Sequence, residues 1–409
     1  MKRLALLCFI VPALYAEGLQ SLMDFAINNN HMVASKALTQ ESKSKDIEVA
    51  QSAYYPTIDL GGAYQNSDQK SVGIAGDIYK GYATVGVDLY DGGKKHNTIE
   101  KNKALLKSSE YDTSSYKKNL QLSIAEDFYN IKSEEANLNA LNEKNIQLEA
   151  ELERIKKFYE VGSATQDEID KLQAALSDNI YQIEATKFQV LSLKRLLSIK
   201  IGKKIETLDN SIVKVPTNIQ KELSDDIKVL QSNASSFKYS AKTINSGYLP
   251  QIRLEDTYNV YDYGRSDSTH PDGLDNQNVL LLTFNVKLFD NGNLKKQKES
   301  ILIQKMALES QIKQATEEQD INIELALSKI NTTKAQINSA KSSLESAISA
   351  YKIIAEKYKA GSVNNVDYLD ALSVKTNAKA QYETALNNLQ IAYASYYYYT
   401  NKNIKDYIK

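Results

Sequence analysis

Residues 94–161, KKHNTIEKNKALLKSSEYDTSSYKKNLQLSIAEDFYNIKSEEANLNALNEKNIQLEAELERIKKFYEV, run for 68 positions without a glycine or a proline. Residues 293–360, which lie 199 positions further along the chain, form a second stretch of the same length that also contains no glycine and no proline. At a rise of about 1.5 Å per residue, each stretch predicts a helix of roughly 100 Å. Because no compact domain needs such a helix, the pair indicates a chain that crosses a distance.

Apolar residues recur every seven positions along both stretches. The second stretch carries Ile323, Ile330, Ile337, Leu344, Tyr351 and Tyr358 at this interval, and the first carries Ile124, Ile131, Leu138, Asn145, Leu152 and Tyr159. Only Asn145 breaks the apolar run. A seven-residue repeat predicts a helix that packs along a neighbour as a coiled coil. The antiparallel partners would be return helices at 166–200 and 366–400, after reversals at Gly162 and Gly361.

The N-terminus is typical of a secretory signal peptide, which we predict for residues 1–16. Met1–Arg3 carry positive charge, Leu4–Leu14 are apolar, and Ala16 is a small residue at the expected cleavage point. The eleven apolar residues are too few to span a bilayer.

Composition argues against several functional classes. The single cysteine, Cys8, lies in the predicted signal peptide, so we expect no disulfide and no thiolate metal site in the exported chain. The three histidines are scattered without metal-ligand spacing, and we predict no metal and no cofactor. A formal net charge of −1 gives no reason to expect nucleic acid as a partner.

The chain repeats internally. Tyr54–Leu60 resembles Tyr248–Leu254, Leu89–Gly93 matches Leu288–Gly292, and Tyr159–Ser163 matches Tyr358–Ser362. We therefore predict a first repeat at 17–201, a linker at 202–218 and a second repeat at 219–409. Each repeat would contain a helical segment, two strands, the long helix and the return helix. The predicted bounds are helices 19–52 and 219–246, strands 54–65, 81–90, 248–261 and 278–289, and long helices 94–160 and 293–359.

The strand predictions rest on alternation of apolar and polar residues. Leu280, Leu282, Phe284, Val286 and Leu288 alternate with residues that are mostly polar. A soluble sandwich and a membrane barrel share this pattern, and the export signal favours the barrel. Four strands cannot close in lipid without unpaired edges, so closure needs further copies of the chain. Three copies would give twelve strands around a lumen and a helical tunnel.

The duplicated order of elements, the Leu-Tyr/Phe-Asp-x-Gly turns and the tip sequences resemble the TolC family of outer-membrane efflux proteins. The resemblance covers nearly the whole exported chain. It implies a mainly α-helical homotrimer with a coiled-coil tunnel in the periplasm and a twelve-stranded β-barrel among outer-membrane lipids. It further implies a passive exit duct of a tripartite efflux or type I secretion system, coupled to an inner-membrane transporter through a periplasmic adaptor protein.

The resemblance also implies a periplasmic gate formed by Asp367, Asp370 and Tyr358. The two aspartates are three residues apart, so on a helix they share one face. Read from the residues alone, the favoured interpretation is that the two aspartates are favourable charges at a helix N-terminus, and Tyr358 fits equally well as the last core position of the heptad. The arginine usual at this tip in the family is replaced by Val363.

The family likewise implies docking of the adaptor at the two tips, Val161-Gly162-Ser163 and Ala360-Gly361-Ser362. The other interpretation is that these glycines serve only their own turns. No catalytic motif is present, and we predict that the protein is not an enzyme. The alternative function is an exported coiled-coil filament or surface fibre. The sequence does not distinguish drugs, metals and proteins as exported substrates.

Overall fold

The computed structural model describes residues 17–66, 77–217, 219–264 and 274–409. The predicted signal peptide and most of the two polar strand-to-strand loops lie outside these ranges. The elements run in chain order as α1 (Leu19–Asn29), α2 (His31–Ser52), β1 (Thr57–Asn66), β2 (Asp77–Tyr90), α3 (Lys94–Glu160), α4 (Gln166–Ile201), α5 (Asp225–Asn245), β3 (Gln251–Tyr263), β4 (Asn276–Asn285), α6 (Asn293–Lys359) and α7 (Asn365–Tyr399). None of the helices in these ranges is both long and apolar enough to cross a bilayer.

The two long helices match the sequence prediction, whereas the two shorter helical segments differ from it. The segment predicted as one helix over 19–52 is broken at Asn30, whose Oδ1 accepts hydrogen bonds from the backbone N–H groups of Met32 and Val33 at 2.8 and 3.2 Å. An asparagine that satisfies free N–H groups in this way starts a new helix. The segment predicted over 219–246 is helical only from Asp225 to Asn245.

The strands form one antiparallel sheet in the order β1-β2-β3-β4. The prediction placed the starts of β1 and β3 at residues 54 and 248, which is too early, because Pro56 and Pro250 stand directly before the paired segments. It placed the end of β4 at residue 289, which is too late. Asn285 pairs with Gln251, the first residue of β3, so residues 286–289 have no partner strand among the described residues.

The two faces of the sheet differ in chemistry, and both are largely exposed. One face, called the apolar face here, is interrupted by Asp256 and, next to the strand-to-strand loops, by Asp77 and Asp262. Its large apolar side chains include Ile58, Leu60, Tyr64, Tyr79, Val85, Leu254, Tyr258, Val260, Leu280, Leu282 and Phe284. The opposite face, called the polar face, is mostly polar, with Ile78, Val279 and Leu281 as apolar exceptions. It carries Asp59, Lys80, Tyr82, Thr84, Asp88, Arg253, Glu255, Thr257, Asn259, Tyr261 and Thr283. Leu60 is 82% exposed, so no part of the described chain covers the apolar face there.

The turn that leads from strand to long helix is built twice in the same way. Asp91 accepts hydrogen bonds from the N–H groups of Gly93 and Lys95 at 2.9 and 2.7 Å. Asp290 does the same for Gly292 and Leu294 at 3.1 and 3.0 Å. A carboxylate that caps free N–H groups fixes the first turn of the helix and lies at the favourable end of its dipole. The repeated Asp-x-Gly sequence therefore marks the starts of α3 and α6.

The chain divides into two compact units, and each unit draws on both sequence repeats. Of the described residues, the first unit comprises those within 17–36, 113–225 and 316–409, and the second comprises those within 37–112 and 226–315. The core of the first unit joins α1, α3, α4 and α7 with the linker and the C-terminal residues around Leu22, Phe128 and Tyr397. The second unit contains the sheet. The repeats of the sequence are thus not the compact units of the fold.

Tyr397 predicts a loss of stability at alkaline pH. It is buried in the first unit, its ring stacks on Tyr407 at 4.0 Å between centroids, and its hydroxyl donates to the Lys214 carbonyl at 3.1 Å. Burial raises the pKa of Tyr397 to about 12, above the usual value of about 10. A tyrosine whose pKa is higher in the folded than in the unfolded state contributes its full stabilisation below about pH 10. This stabilisation is lost as the pH rises through about 12.

The test is the melting temperature of the protein at pH values from about 9 to 12. We expect the melting temperature to fall as the pH rises, and we expect Tyr397→Phe to reduce this fall. Tyr55→Phe, at an exposed position, is the matched control and should leave the fall unchanged. An identical pH profile for all three proteins would contradict the role of Tyr397.

Candidate gate and docking tips

The two helical hairpins reverse at tips with the same backbone geometry. Gly162 and Gly361 have φ values of 75° and 71°, a left-handed conformation that ends a helix and that glycine adopts without strain. Their N–H groups donate to the carbonyls of Tyr159 and Tyr358 at 2.9 and 3.0 Å. A β-carbon at either glycine would meet no atom of the described chain within 4 Å. Both tips therefore leave open space around their glycines.

Polar caps start the return helices directly after the tips. Thr165 accepts a hydrogen bond from the Glu168 N–H, and the Glu168 carboxylate accepts one from the Thr165 N–H at 3.0 Å. In the second tip, Asn364 Oδ1 accepts from the Asp367 N–H at 2.9 Å. The reversal and the restart of each hairpin are thus fixed by local sequence.

A small apolar core lies immediately behind the tips and contains Tyr358. It comprises Leu148, Leu152, Ile155, Ile169, Leu172, Tyr358, Tyr368 and Leu372, which come from α3, α4, α6 and α7. Tyr358 and Tyr368 stack with ring centroids 4.9 Å apart, and Tyr351 packs on Tyr368 at 5.9 Å. Val363 also packs against this core. Val363, at the position where the resemblance implies arginine, therefore contributes an apolar contact here.

Arg154 of α3 joins the first hairpin to the second. Its guanidinium binds the Glu151 carboxylate through Nε at 3.0 Å and Nη2 at 2.5 Å, and it lies 5.1 Å from the centre of the Tyr358 ring. A guanidinium held over an aromatic face adds a cation–π attraction to the ion pair. We call Glu151, Arg154, Tyr358 and Tyr368 the tip cluster.

The guanidinium and the two phenols of the tip cluster keep their protonation states across the physiological pH range. Hydrogen bonding to Glu151 raises the pKa of Arg154, so the guanidinium stays protonated. Burial raises the pKa of both Tyr358 and Tyr368, so both phenols stay neutral. The contact between the hairpins is therefore insensitive to ordinary changes of pH.

Asp367 and Asp370 are exposed in the first turns of α7. The side chain that caps this helix belongs to Asn364, so the carboxylate of Asp367 is not used as the cap. Asp367 lies in the first turn, a favourable position at the positive end of the helix dipole, whereas Asp370 lies in the second turn. The two interpretations drawn from the sequence, gate residues and helix-end charges, therefore remain compatible. The structure brings Tyr358 into the tip cluster, but neither carboxylate.

Sequence reasoning missed Glu151, Arg154 and Tyr368. One signal was available, because arginine occurs only five times in a chain with 50 basic residues, and Arg154 stands close to a tip. An arginine in a lysine-rich chain indicates a site that needs a planar, bidentate cation. Within the described ranges, no three His, Cys, Asp or Glu side chains are grouped so that they could hold a metal ion.

These features define a class of protein: paired helical hairpins with open tips, attached to a sheet whose apolar face is exposed. The family model described as outer membrane efflux protein matches residues 22–196 and 219–401. The chain belongs to this family. It is an outer-membrane efflux channel protein that extends into the periplasm, and it is not an enzyme.

Solved structures share the fold at low sequence identity. A membrane protein from Pseudomonas aeruginosa superposes with a TM-score of 0.82 at 15% identity, with 93% of each chain covered. The outer membrane protein VceC from Vibrio cholerae gives 0.80 at 14% identity, covering 94% of this chain and 96% of VceC. The CmeC outer membrane channel from Campylobacter jejuni gives 0.80 at 18% identity, covering 94% and 85%. No curated protein matches the sequence.

Proposed function

We propose that three copies of this chain form a closed twelve-stranded barrel on a helical tunnel, and that the assembly is the passive exit duct of a tripartite efflux or secretion system. The observation that carries the proposal is the sheet. Strands β1 and β4 each have a free edge in the described chain, and the apolar face is exposed. In lipid an apolar face is favourable, but free edges are costly, and pairing β4 with β1 of the next copy removes them.

Exposed apolar residues on the helices support the same assembly. On α4, Tyr181 and Phe188 are both 71% exposed and lie seven residues apart on one side of the helix. On α6, Ile321 and Leu325 are exposed and four residues apart. Apolar stripes of this kind bury themselves against other helices. Neighbouring copies would cover them and complete the wall of the tunnel.

The test of assembly is fractionation of cells followed by electrophoresis with and without heating. We expect the protein in the outer-membrane fraction as an SDS-resistant trimer that dissociates on heating, and ion-conducting pores after reconstitution into planar bilayers. A water-soluble fibre without conductance would contradict the channel and support the filament.

The tips are the proposed docking site for a periplasmic adaptor that couples the duct to an inner-membrane transporter. The residues are Val161, Gly162, Ser163, Ala360, Gly361 and Ser362, which are exposed and leave room for another backbone. The lack of other cysteines after the predicted signal peptide allows a site-specific test. Ser163→Cys and Ser362→Cys should crosslink in the periplasm to a second protein, whereas Ser177→Cys on the exposed shaft of α4 should not. Equal crosslinking at all three positions would contradict docking at the tips.

The carboxylates of Asp367 and Asp370 are proposed to line the periplasmic entrance together with Tyr358. In a trimer they would place six acidic groups around one aperture, which attracts cations. We expect Asp367→Ala combined with Asp370→Ala to weaken block by a trivalent cation such as hexamminecobalt added from the periplasmic side, by at least about tenfold. The measurement is the half-blocking concentration in planar bilayers.

Asp167→Ala, at an exposed position in the other tip, is the matched control for the entrance prediction. Its half-blocking concentration should stay near that of the unchanged protein. If the double variant is blocked as strongly as the unchanged protein, the two aspartates do not line the entrance and act only as charges at the helix end.

A further inference from the structure

Lys80 is held between two tyrosine rings on the polar face of the sheet. It lies on β2 directly opposite Tyr261 of β3. Its Nζ is 5.4 Å from the centre of the Tyr82 ring and 5.8 Å from the centre of the Tyr261 ring. Tyr263 continues the aromatic wall, with its ring 6.3 Å from that of Tyr261. Cation–π attraction on two sides keeps the ammonium group against the strands.

The position of Tyr82 is set by a glycine on the neighbouring strand. A β-carbon at Gly61 would lie 2.4 Å from atoms of the Tyr82 ring, so the ring lies flat across the backbone of β1. Gly61 and Tyr82 are paired in the register of β1 and β2. A β-carbon at residue 61 would force the Tyr82 ring to move, so the glycine permits the position that the ring has here.

The charged side chains that the structure describes around Lys80 leave its ammonium group without an ion-pair partner. Among the described residues no carboxylate forms an ion pair with it. We call the half of the sheet next to the β1–β2 and β3–β4 loops its outer half. In the paired strands, the polar face of this half holds no other charged side chain. Asp275 stands just before β4, and Tyr261 lies between it and Lys80 in the sheet. In the inner half, Asp88 binds Arg253 at 2.8 Å and Lys95 at 3.3 Å.

Resting on the trimeric barrel proposed above, we propose that Lys80, Tyr82 and Tyr261 form a cationic, tyrosine-lined collar in the outer half of the lumen that binds organic anions carrying an aromatic ring. The polar face must line the lumen because the apolar face meets lipid. Three copies would place three ammonium groups at one level. The ammonium groups attract the anionic group of the solute, and the tyrosine faces stack on its ring.

The collar is tested with naphthalene trisulfonate as a blocker added from the extracellular side of single channels in planar bilayers. We expect Lys80→Glu to raise the half-blocking concentration at least about tenfold, because three cations become three anions. The same variant should lower the permeability of chloride relative to potassium roughly twofold or more. Lys80→Arg keeps the charge and should stay within about twofold of the unchanged protein in both measurements.

Tyr82→Leu distinguishes the contribution of the aromatic ring from that of the ammonium group. It should weaken block by naphthalene trisulfonate while leaving the chloride-to-potassium permeability ratio near its original value. Electrophoresis without heating confirms that each variant still assembles. Channels that conduct normally but show unchanged block and unchanged selectivity in Lys80→Glu would overturn the collar and leave the channel intact. A protein that forms no conducting pores at all would instead contradict the proposed function.

Discussion

Asp225→Ala is expected to cost about 3–5 kcal/mol of stability, because it leaves a buried ammonium group without its partner. The Asp225 side chain is 4% exposed and lies 2.7 Å from the Nζ of Lys118, which is 11% exposed. Ser114 donates to the same carboxylate oxygen at 2.6 Å, and Asn401 donates to the other at 3.2 Å. Lys118 also donates to Asn401 Oδ1 at 2.8 Å.

This network joins three parts of the first compact unit: α3, the start of α5 and the residues that follow α7. Asn401 holds a left-handed backbone conformation with φ of 65°, and its amide also donates to the Leu223 carbonyl at 2.8 Å. Because every member bonds to at least one other, removing one carboxylate disturbs the rest of the network.

The effect is measured as the fall in melting temperature and as faster hydrogen exchange of the amides in α5. Lys187→Ala is the matched control, since it breaks an ion pair with Glu184 in which both side chains are more than half exposed. Such a pair contributes about 0–1 kcal/mol. Equal shifts for Asp225→Ala and Lys187→Ala would show that the buried network adds nothing.

Arg154→Ala is expected to shift the proposed entrance toward its open state by roughly 30-fold, which corresponds to about 2 kcal/mol. The change removes the cation over the Tyr358 ring and leaves the buried Glu151 carboxylate without its bidentate partner. Both losses weaken the contact between the α3–α4 and α6–α7 hairpins, which is the contact that must break if the tips separate.

The measurement is the fraction of time that single channels spend in the high-conductance state. Arg154→Lys keeps a positive charge but loses the planar fork, and it should give an intermediate value. Arg195→Ala removes an exposed arginine of α4 away from the tips and should behave like the unchanged protein. Open times that do not differ between Arg154→Ala and Arg195→Ala would exclude the tip cluster as a closing contact.

The sequence predicted the long elements well because their signals are local and repeated. The bounds of α3 and α6 agree with the stretches free of glycine and proline, and the tip glycines adopt the left-handed conformation that a reversal needs. Asn145, which breaks the heptad, also has a local explanation. Asn179 of α4 donates to Asn145 Oδ1 at 3.3 Å, a polar pair that fixes the register of two helices.

The strand ends and the tip cluster could not be derived in the same way, because they depend on distant parts of the chain. The end of β4 is decided by where β3 begins, and residues 286–289 are as apolar and alternating as a strand should be. Arg154 contacts a tyrosine more than 200 residues away in sequence. Neither fact is visible to helical or strand periodicity, which reports on one segment at a time.

The tip cluster also shows how the duplicated halves have diverged. Tyr358 corresponds to Tyr159 at the offset of 199, yet Tyr358 is buried and Tyr159 is exposed. Arg154 corresponds to Ile353, so one half supplies the cation and the other supplies the aromatic ring. In the trimer proposed above, six identical single halves would each have to carry both groups. Because the two halves are joined in one chain, each hairpin can carry a different group.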